Sequence, residues 1–312
     1  MQLIWSQTSK YINVAPSSVA PLFGGLRRGE HETGPLSPRR CRGSDYYFTP
    51  SWSRLSVLVI ESLDLVREGR EEEDSLAEKV AVVVGVGPGL GAAIARRFAR
   101  EGFALGLMAR REESMSAVRE EIAGAGGEAL AVSTDATDAA SVASAFKEVR
   151  DSFGDPEVFV YNAGAFQMGG ILEITPEQFD ECFRANCSGA FHGAQQVLPA
   201  MVERGRGTVI LTGATAALRG SAKFAALATG KFGLRALAQS MAREFWPRGI
   251  HVAHTVIDGQ ILTPRLREAQ PDREESTTLS PDAIAEAYWH LHSQDPTAWT
   301  LELDLRPAVE TF

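Results

Sequence analysis

The sequence predicts an α/β fold, a doubly wound parallel sheet of about seven strands with helices on both faces. Short apolar runs, which are typical of strands buried on both faces, alternate with longer amphipathic runs from residue 76 onward. A glycine cluster directly follows the first apolar run and opens the first helical run, which indicates a strand, a tight turn and a helix. Because crossovers between parallel strands are right-handed, the alternation predicts a single domain with its ligands at the carboxyl ends of the strands.

The first half of the domain contains four predicted strands and three predicted helices. The first strand is the valine-rich run that ends at the glycine cluster, and the helix after it places Ile94 and Phe98 on one face. The next helix ends at a group of glycines, which are typical helix terminators. The predicted strands are residues 80–85, 104–109, 129–133 and 158–161, and the predicted helices are residues 89–101, 112–125 and 139–153.

The second half continues the alternation with longer helices. Leucines alternate with charged residues in the last apolar run, which favours an edge strand with one solvent-exposed face. The predicted strands are residues 208–212, 251–256 and 299–305, and the predicted helices are residues 176–204, 221–245 and 281–291.

Residues 1–75 differ from the rest, because they are rich in Ser, Pro, Gly and Arg and have no sustained periodicity. This composition favours a poorly ordered extension ahead of one domain at residues 76–312. Two alternatives are a targeting peptide, which Glu30, Glu32 and Asp45 disfavour, and a later translation start, which would make the segment an artefact of the gene model.

Net charge, cysteine spacing and the length of the apolar runs disfavour several classes of function. The net charge of −9 disfavours a nucleic-acid-binding surface. The cysteines Cys41, Cys182 and Cys187 form no disulfide or metal-binding spacing, so we expect no metal site and a reduced, cytoplasmic protein. No apolar run is long enough to span a bilayer, so no membrane partner is predicted.

The glycine cluster predicts a phosphate-binding turn. Glycine lets the backbone turn sharply and lets a phosphate approach closely, and the helix start adds free N–H groups and a favourable dipole. The residues concerned are Gly85, Gly87, Gly89, Leu90 and Gly91. An ordinary strand-to-helix turn is the alternative, since glycine also marks turns without a ligand.

Two arginines follow the second strand, at the position that meets the adenosine ribose in dinucleotide-binding folds. An acidic residue there holds the 2′-hydroxyl of NAD, whereas an arginine accommodates the 2′-phosphate of NADP. Arg110 and Arg111 occupy this position, and no acidic residue precedes Glu112. The sequence therefore predicts NADP(H) rather than NAD(H), with solvent-exposed arginines at a strand end as the alternative.

Five motifs occur in order along residues 76–312. They are the glycine cluster at residues 84–91, Asp135, Tyr161-Asn162-Ala163-Gly164, Asn186, and the segment Asp258-Gly259-Gln260-Ile261-Leu262-Thr263. On these motifs the sequence resembles the short-chain dehydrogenase/reductase superfamily, with Val84 in place of the family's usual Thr. The resemblance implies a Rossmann-type fold, a nicotinamide cofactor, a small-molecule substrate, and a homodimer or homotetramer formed through the two long helices.

The resemblance also implies a role for individual residues. Asp135 would contact the adenine, Lys231 would hold the ribose and Thr263 would bind the carboxamide. The implied cofactor-binding set is Gly85, Gly87, Gly89, Leu90, Gly91, Arg110, Arg111, Asp135, Asn162, Ala163, Gly164, Lys231, Gly259, Ile261 and Thr263. The implied catalytic residues are Lys231 and Asn186.

Two positions depart from the family's active site. The family has Tyr four residues before the lysine and Ser thirteen residues before that Tyr, whereas this sequence has Leu227 and Ala214. The Tyr is the acid that protonates the carbonyl oxygen, and a leucine exchanges no proton. The family's usual carbonyl chemistry therefore cannot proceed unaltered.

Three interpretations remain. The chain is an oxidoreductase with a substituted donor, for which the candidates are Thr212, Thr215, Ser221 and His192. Alternatively the substrate is an activated alkene, as in dienoyl-CoA reductases that also lack this Tyr, with Arg265 and Arg267 facing an acidic or CoA-bearing group. Thirdly, the chain binds NADP(H) without turnover and acts as a sensor, a scaffold or an inactive oligomer partner.

Overall fold

The computed structural model describes residues 79–310, so the predicted extension at residues 1–75 lies outside the described residues. The described chain contains a parallel seven-stranded sheet in the order β3-β2-β1-β4-β5-β6-β7. The strands are β1 (Val80–Val84), β2 (Ala104–Ala109), β3 (Ala129–Ser133), β4 (Val158–Tyr161), β5 (Gly207–Thr212), β6 (Ile250–Ile257) and β7 (Glu302–Leu305). The doubly wound Rossmann-type fold is confirmed, and β7 lies at the edge, as predicted.

Helices connect and cover the strands. They are α1 (Leu90–Ala99), α2 (Glu113–Gly124), α3 (Ala139–Phe153), α4 (Pro176–Phe183), α5 (Gly189–Arg204), α6 (Ala225–Phe245), α7 (Pro264–Ala269) and α8 (Pro281–His292). Of the helices in residues 79–310, none combines the length and hydropathy needed to cross a membrane.

Two predicted starts differ from the structure by more than one residue, and one predicted helix is interrupted. The helix predicted at residues 176–204 begins and ends as predicted but contains a π-helical turn, Arg184–Ser188, between α4 and α5. The helix predicted from residue 221 begins at Ala225, because Lys223 adopts a left-handed φ of 68° that interrupts a helix. The last strand begins at Glu302 rather than at residue 299, because the side chain of Gln294 binds both the N–H and the hydroxyl of Thr300.

Each face of the sheet has its own apolar core. Alternating side chains of β1 point to opposite faces, so Val83 packs in the core that α1 and α8 cover, whereas Val82 packs in the core of α3, α5 and α6. Phe98 contacts the rings of Phe103 and Trp289 edge-on at 5.5 Å in the first core. Since all seven strands are parallel, their carboxyl ends share one edge of the sheet, and the predicted site residues follow those ends.

Candidate functional site

The turn after β1 is held in a conformation that favours glycine. Gly85 has a φ of 94°, where a Cβ is disfavoured. Its N–H donates to the carbonyl oxygen of Met108 at 2.8 Å, which ties the turn to β2. An added Cβ at Gly85 would lie 2.4 Å from the nitrogen of Ala163, so the segment after β4 packs directly on the turn.

The other glycines divide into packed and open positions. An added Cβ at Gly91 would lie 2.4 Å from the carbonyl oxygen of Gly85. A Cβ at Gly89 would meet only the side chain of Thr263, and one at Gly87 would have no atom within 4 Å. The side chain of Leu90 is buried in the core, so only its backbone faces the turn. The turn is therefore tight at its base and open at Gly87.

We expect Gly91→Ala to destabilise the domain by about 1–3 kcal/mol, because its methyl group would overlap backbone atoms of the turn. Gly87→Ala is the matched control, since it adds the same methyl group at an open position. Urea denaturation measures the free energy of unfolding of both variants, and Gly87→Ala should change it by less than about 1 kcal/mol. Equal losses in the two variants would contradict the close packing at Gly91.

Asn162, which follows the neighbouring strand β4, stabilises the glycine turn through two hydrogen bonds. Its Nδ2 donates to the carbonyl oxygen of Gly85 at 2.9 Å, and its own N–H donates to the carbonyl oxygen of Val84 at 2.8 Å. The structure thus gives Asn162 a supporting contact with the turn. Its contact with a cofactor, like those of Ala163 and Gly164, stays a prediction.

The predicted adenosine-binding residues follow β2 and β3, which are neighbours in the sheet. Arg110 and Arg111 are exposed, and the Ser133 hydroxyl donates to the carbonyl oxygen of Arg110 at 3.2 Å. Two hydrogen bonds from Thr137 lower the pKa of Asp135, and the charge of Arg110 adds to this effect. The arginines and Asp135 therefore lie together at one corner of the site.

Lys231 is the charged group at the centre of the site. It is 7% exposed, and its Nζ donates to the carbonyl oxygen of Thr212 at 2.8 Å, at the carboxyl end of β5. Burial lowers the pKa of Lys231 to about 8, because the ammonium loses its solvation. A Cβ at Gly164 would lie 3.7 Å from this nitrogen, so Lys231 faces the segment after β4.

Asn186 lies in the π-helical turn and is fully buried. Its Nδ2 donates to the carbonyl oxygens of Ala165 at 2.8 Å and Cys182 at 2.9 Å. Its Oδ1 has no hydrogen-bond partner among the described residues and would lie 2.8 Å from a Cβ at Gly164. A buried acceptor without a donor is costly, so this oxygen marks a position for a water molecule or a ligand group.

Tyr161 holds the π-helical turn against the sheet. Its hydroxyl donates to the carbonyl oxygen of Ala185 at 2.7 Å, and burial raises its pKa well above the ordinary value. The hydroxyl therefore keeps its proton and acts as a structural donor. Single-turn π-helical insertions are frequent at functional sites, which agrees with the position of Asn186.

Leu227 and Ala214 are both half-buried. Leu227 lies one helical turn before Lys231 on the same face of α6. Ala214 follows β5 immediately after Gly213. Leu227 thus adjoins Lys231 along the helix, and Ala214 lies two residues after the Thr212 carbonyl that Lys231 contacts. Neither side chain exchanges a proton.

Thr215 is the candidate donor with a charged partner. Its hydroxyl donates to the carboxylate of Asp258, and the other oxygen of Asp258 is 3.0 Å from a guanidinium nitrogen of Arg306. Asp258 stands where the family usually has a proline. The sequence motifs did not predict this cluster, because Thr215, Asp258 and Arg306 are far apart along the chain.

The other candidate donors are placed differently. The hydroxyl of Thr212 is buried and lies 2.9 Å from that of Tyr288, in the core covered by α8. Ser221 is exposed in the turn before α6. His192 is half-buried on α5, with its ring against Phe191. These contacts give none of the three an acidic or basic partner.

The segment after β6 closes over the glycine turn. Thr263 accepts a hydrogen bond from the Leu266 N–H at 3.2 Å, which caps α7, and its methyl group adjoins Gly89. Ile261 forms an isolated parallel bridge with Leu279. Thr263 thus lies beside the turn, whereas Gly259 lies near Leu279 and Pro307. The binding roles of Gly259, Ile261 and Thr263 stay predictions.

Comparison with known proteins identifies the family. The sequence model of the family described as short chain dehydrogenase matches residues 79–274. This chain belongs to that family. LinX, a 2,5-dichloro-2,5-cyclohexadiene-1,4-diol dehydrogenase of Sphingobium indicum, is 34% identical over 197 residues, which cover 63% of this chain and 78% of LinX.

Solved structures of short-chain dehydrogenases match the fold. A short-chain dehydrogenase of Rhodopseudomonas palustris is 38% identical with a TM-score of 0.64, and the match covers 73% of this chain and 98% of that one. An alcohol dehydrogenase of the archaeon Thermococcus sibiricus, complexed with 5-hydroxy-NADP, is 28% identical with a TM-score of 0.68, covering 75% and 98%. Both matches cover nearly the whole of the solved chain and support the short-chain dehydrogenase fold.

Proposed function

We propose that this chain is an NADP(H)-dependent oxidoreductase that acts on a carbonyl/alcohol or enoyl substrate with an altered proton-donor site. The observation that carries the proposal is the buried ammonium of Lys231, held between β5 and the segment after β4 beside the unpaired oxygen of Asn186. A buried charge of this kind is costly to maintain, and such groups concentrate at functional sites.

The residues present fit a nicotinamide dinucleotide. The turn is open at Gly87, and the exposed guanidinium groups of Arg110 and Arg111 match the geometry of a 2′-phosphate. Bound cofactor would supply or accept the hydride. Lys231 would hold the ribose hydroxyls, the backbone at Gly85 and Gly89 would accommodate the pyrophosphate, and the remaining predicted residues would complete the site.

The proton needs a source other than residue 227. We propose that a water molecule hydrogen-bonded to the Lys231 ammonium, or the Thr215 hydroxyl resupplied with a proton from solvent, would deliver the proton in place of the usual tyrosine. With an enoyl substrate, hydride would add to the β-carbon and leave an enolate. Water could protonate this enolate at the α-carbon, so no side-chain acid would be needed at residue 227.

A screen of carbonyl and enoyl compounds tests the proposal. Purified full-length protein is mixed with NADPH, and NADPH consumption is followed by absorbance. Turnover of any compound that Lys231→Met abolishes supports the enzyme. Bound NADPH without turnover of any carbonyl or enoyl compound favours the second candidate, an inactive NADP(H)-binding sensor, scaffold or oligomer partner, for which the replacements at Leu227 and Ala214 are the specific observation.

The proposal also covers the compartment, the oligomeric state and the domain organisation. Cys182 and Cys187 carry free thiols, which suits a reducing compartment such as the cytoplasm. Phe191 on α5 and Phe232 on α6 are 47% and 42% exposed, and these helices would form the interface of a homodimer or homotetramer. Residues 76–312 would act as one cofactor-binding domain and residues 1–75 as its extension.

A further inference from the structure

Exposed apolar side chains gather beside the candidate site. Eight large apolar residues in the described part of the chain are exposed, and five of them lie in two short segments. One segment follows β4 and the other follows β5. We call these five residues, together with the half-buried Phe224, the apolar wall: Phe166, Met168, Ile171, Leu172, Leu218 and Phe224.

The apolar wall is joined to the site by direct contacts. Ala165, whose carbonyl oxygen accepts from Asn186, directly precedes Phe166. The ring of Phe166 packs edge-on against that of Phe224 at 5.8 Å. Phe224 precedes α6 and lies within one turn of Leu227. Phe166 and Phe224 therefore join the wall to the residues around Lys231.

A backbone contact braces the two segments of the wall. The N–H of Gly169 donates to the carbonyl oxygen of Lys223 at 2.9 Å, and Lys223 has a left-handed φ of 68°. A non-glycine residue in this conformation is uncommon and persists where its surroundings fix it. The wall is thus a built surface rather than a set of isolated side chains.

Two of the arginines that follow β6 have partners within the protein, which disfavours the alternative of an acidic or CoA-bearing substrate. Arg267 was a predicted contact for an acidic or CoA-bearing substrate, but its guanidinium lies 2.7 Å from the carboxylate of Glu275. Arg273 donates to the side chains of Gln260 and Gln270. Two of the three arginines in residues 265–273 are therefore engaged within the protein.

We propose, on the basis of the proposed function, that the reacting carbonyl or alkene is carried on a hydrocarbon chain or ring that packs against the apolar wall. The replacement of two polar active-site positions by Leu227 and Ala214 extends the apolar surface toward the reacting atoms. Exposed apolar surface is unfavourable in water, so the wall indicates that a ligand or partner covers it. Its continuity with Lys231 favours the substrate as that occupant.

A homologous series of methyl ketones, from 2-butanone to 2-decanone, tests the proposal. Binding to the full-length protein is measured by calorimetry with and without saturating NADPH. We expect the affinity to rise about threefold to fourfold for each added methylene that the wall covers. Phe166→Ser should reduce this dependence, whereas Val309→Ser, which removes an exposed apolar side chain after β7 outside the wall, should retain it.

The outcomes separate the two proposals. NADPH binding together with ketone affinity that is independent of chain length overturns the apolar substrate and leaves the proposed function standing. Chain-length dependence without any NADPH binding supports an apolar ligand site and contradicts the proposed function. A dimer that Phe166→Ser dissociates, measured by analytical ultracentrifugation, would show that a second copy covers the wall and would overturn the proposal.

Discussion

The variant Leu227→Tyr with Ala214→Ser should reduce ketones with NADPH about 10²- to 10⁴-fold faster than the wild-type protein. General acid catalysis typically contributes this factor, and the variant restores an acid beside Lys231. Residues 227 and 231 lie one helical turn apart on α6, so a tyrosine hydroxyl would reach the neighbourhood of the ammonium. That positive charge would lower the pKa of the hydroxyl and improve it as an acid.

The matched control is Leu227→Phe with Ala214→Ser, which adds the same ring without the hydroxyl. Steady-state rates with the methyl ketones compare the two variants, and thermal unfolding verifies that both are folded. If the tyrosine variant binds NADPH and is no faster than the phenylalanine variant, the pocket around Lys231 is not arranged for carbonyl reduction.

The second large effect is expected at the arginines after β2. Arg110→Asp should weaken NADPH binding about 10- to 100-fold, because hydrogen bonds to a charged group contribute about 1.5–3 kcal/mol. The affinity of this variant for NADH should stay within about twofold of the wild-type value or increase, since a carboxylate at this position holds the ribose 2′-hydroxyl. Fluorescence titration with each nucleotide gives both dissociation constants.

Arg119→Asp on α2 controls for the change in net charge, because Arg119 follows the same strand but pairs with Glu112 at 3.8 Å. This variant should bind NADPH like the wild type. A comparable loss of NADPH affinity in both variants would indicate a long-range charge effect instead of a 2′-phosphate contact.

Periodicity and glycine spacing were enough to predict the sheet and the turn after β1. Alternation of apolar runs predicted β2, β3, β4 and α3 with the bounds that the structure has. The glycine turn followed from Gly85 and Gly91, whose close contacts leave no room for a side chain. These features depend on residues that are close together in the chain, so the sequence alone is enough to predict them.

Features that depend on distant contacts were not predicted. The π-helical turn around Asn186 changes the backbone hydrogen bonding, which no motif in the sequence marks, and Tyr161 supports it from β4. The carbonyl oxygen that holds Lys231 is a backbone atom, which no motif reveals. The pairing of Asp258 with Arg306 joins the end of β6 to the segment after β7, so only the folded chain brings it together.

The most direct test of the account is titration of the wild-type protein with NADPH and, separately, with NADH, followed by nicotinamide fluorescence. If Arg110 and Arg111 bind the 2′-phosphate, NADPH binds saturably with a dissociation constant at least about tenfold below that of NADH. Tighter binding of NADH would contradict the assignment of the arginines. Absence of binding for both nucleotides would contradict the cofactor site itself.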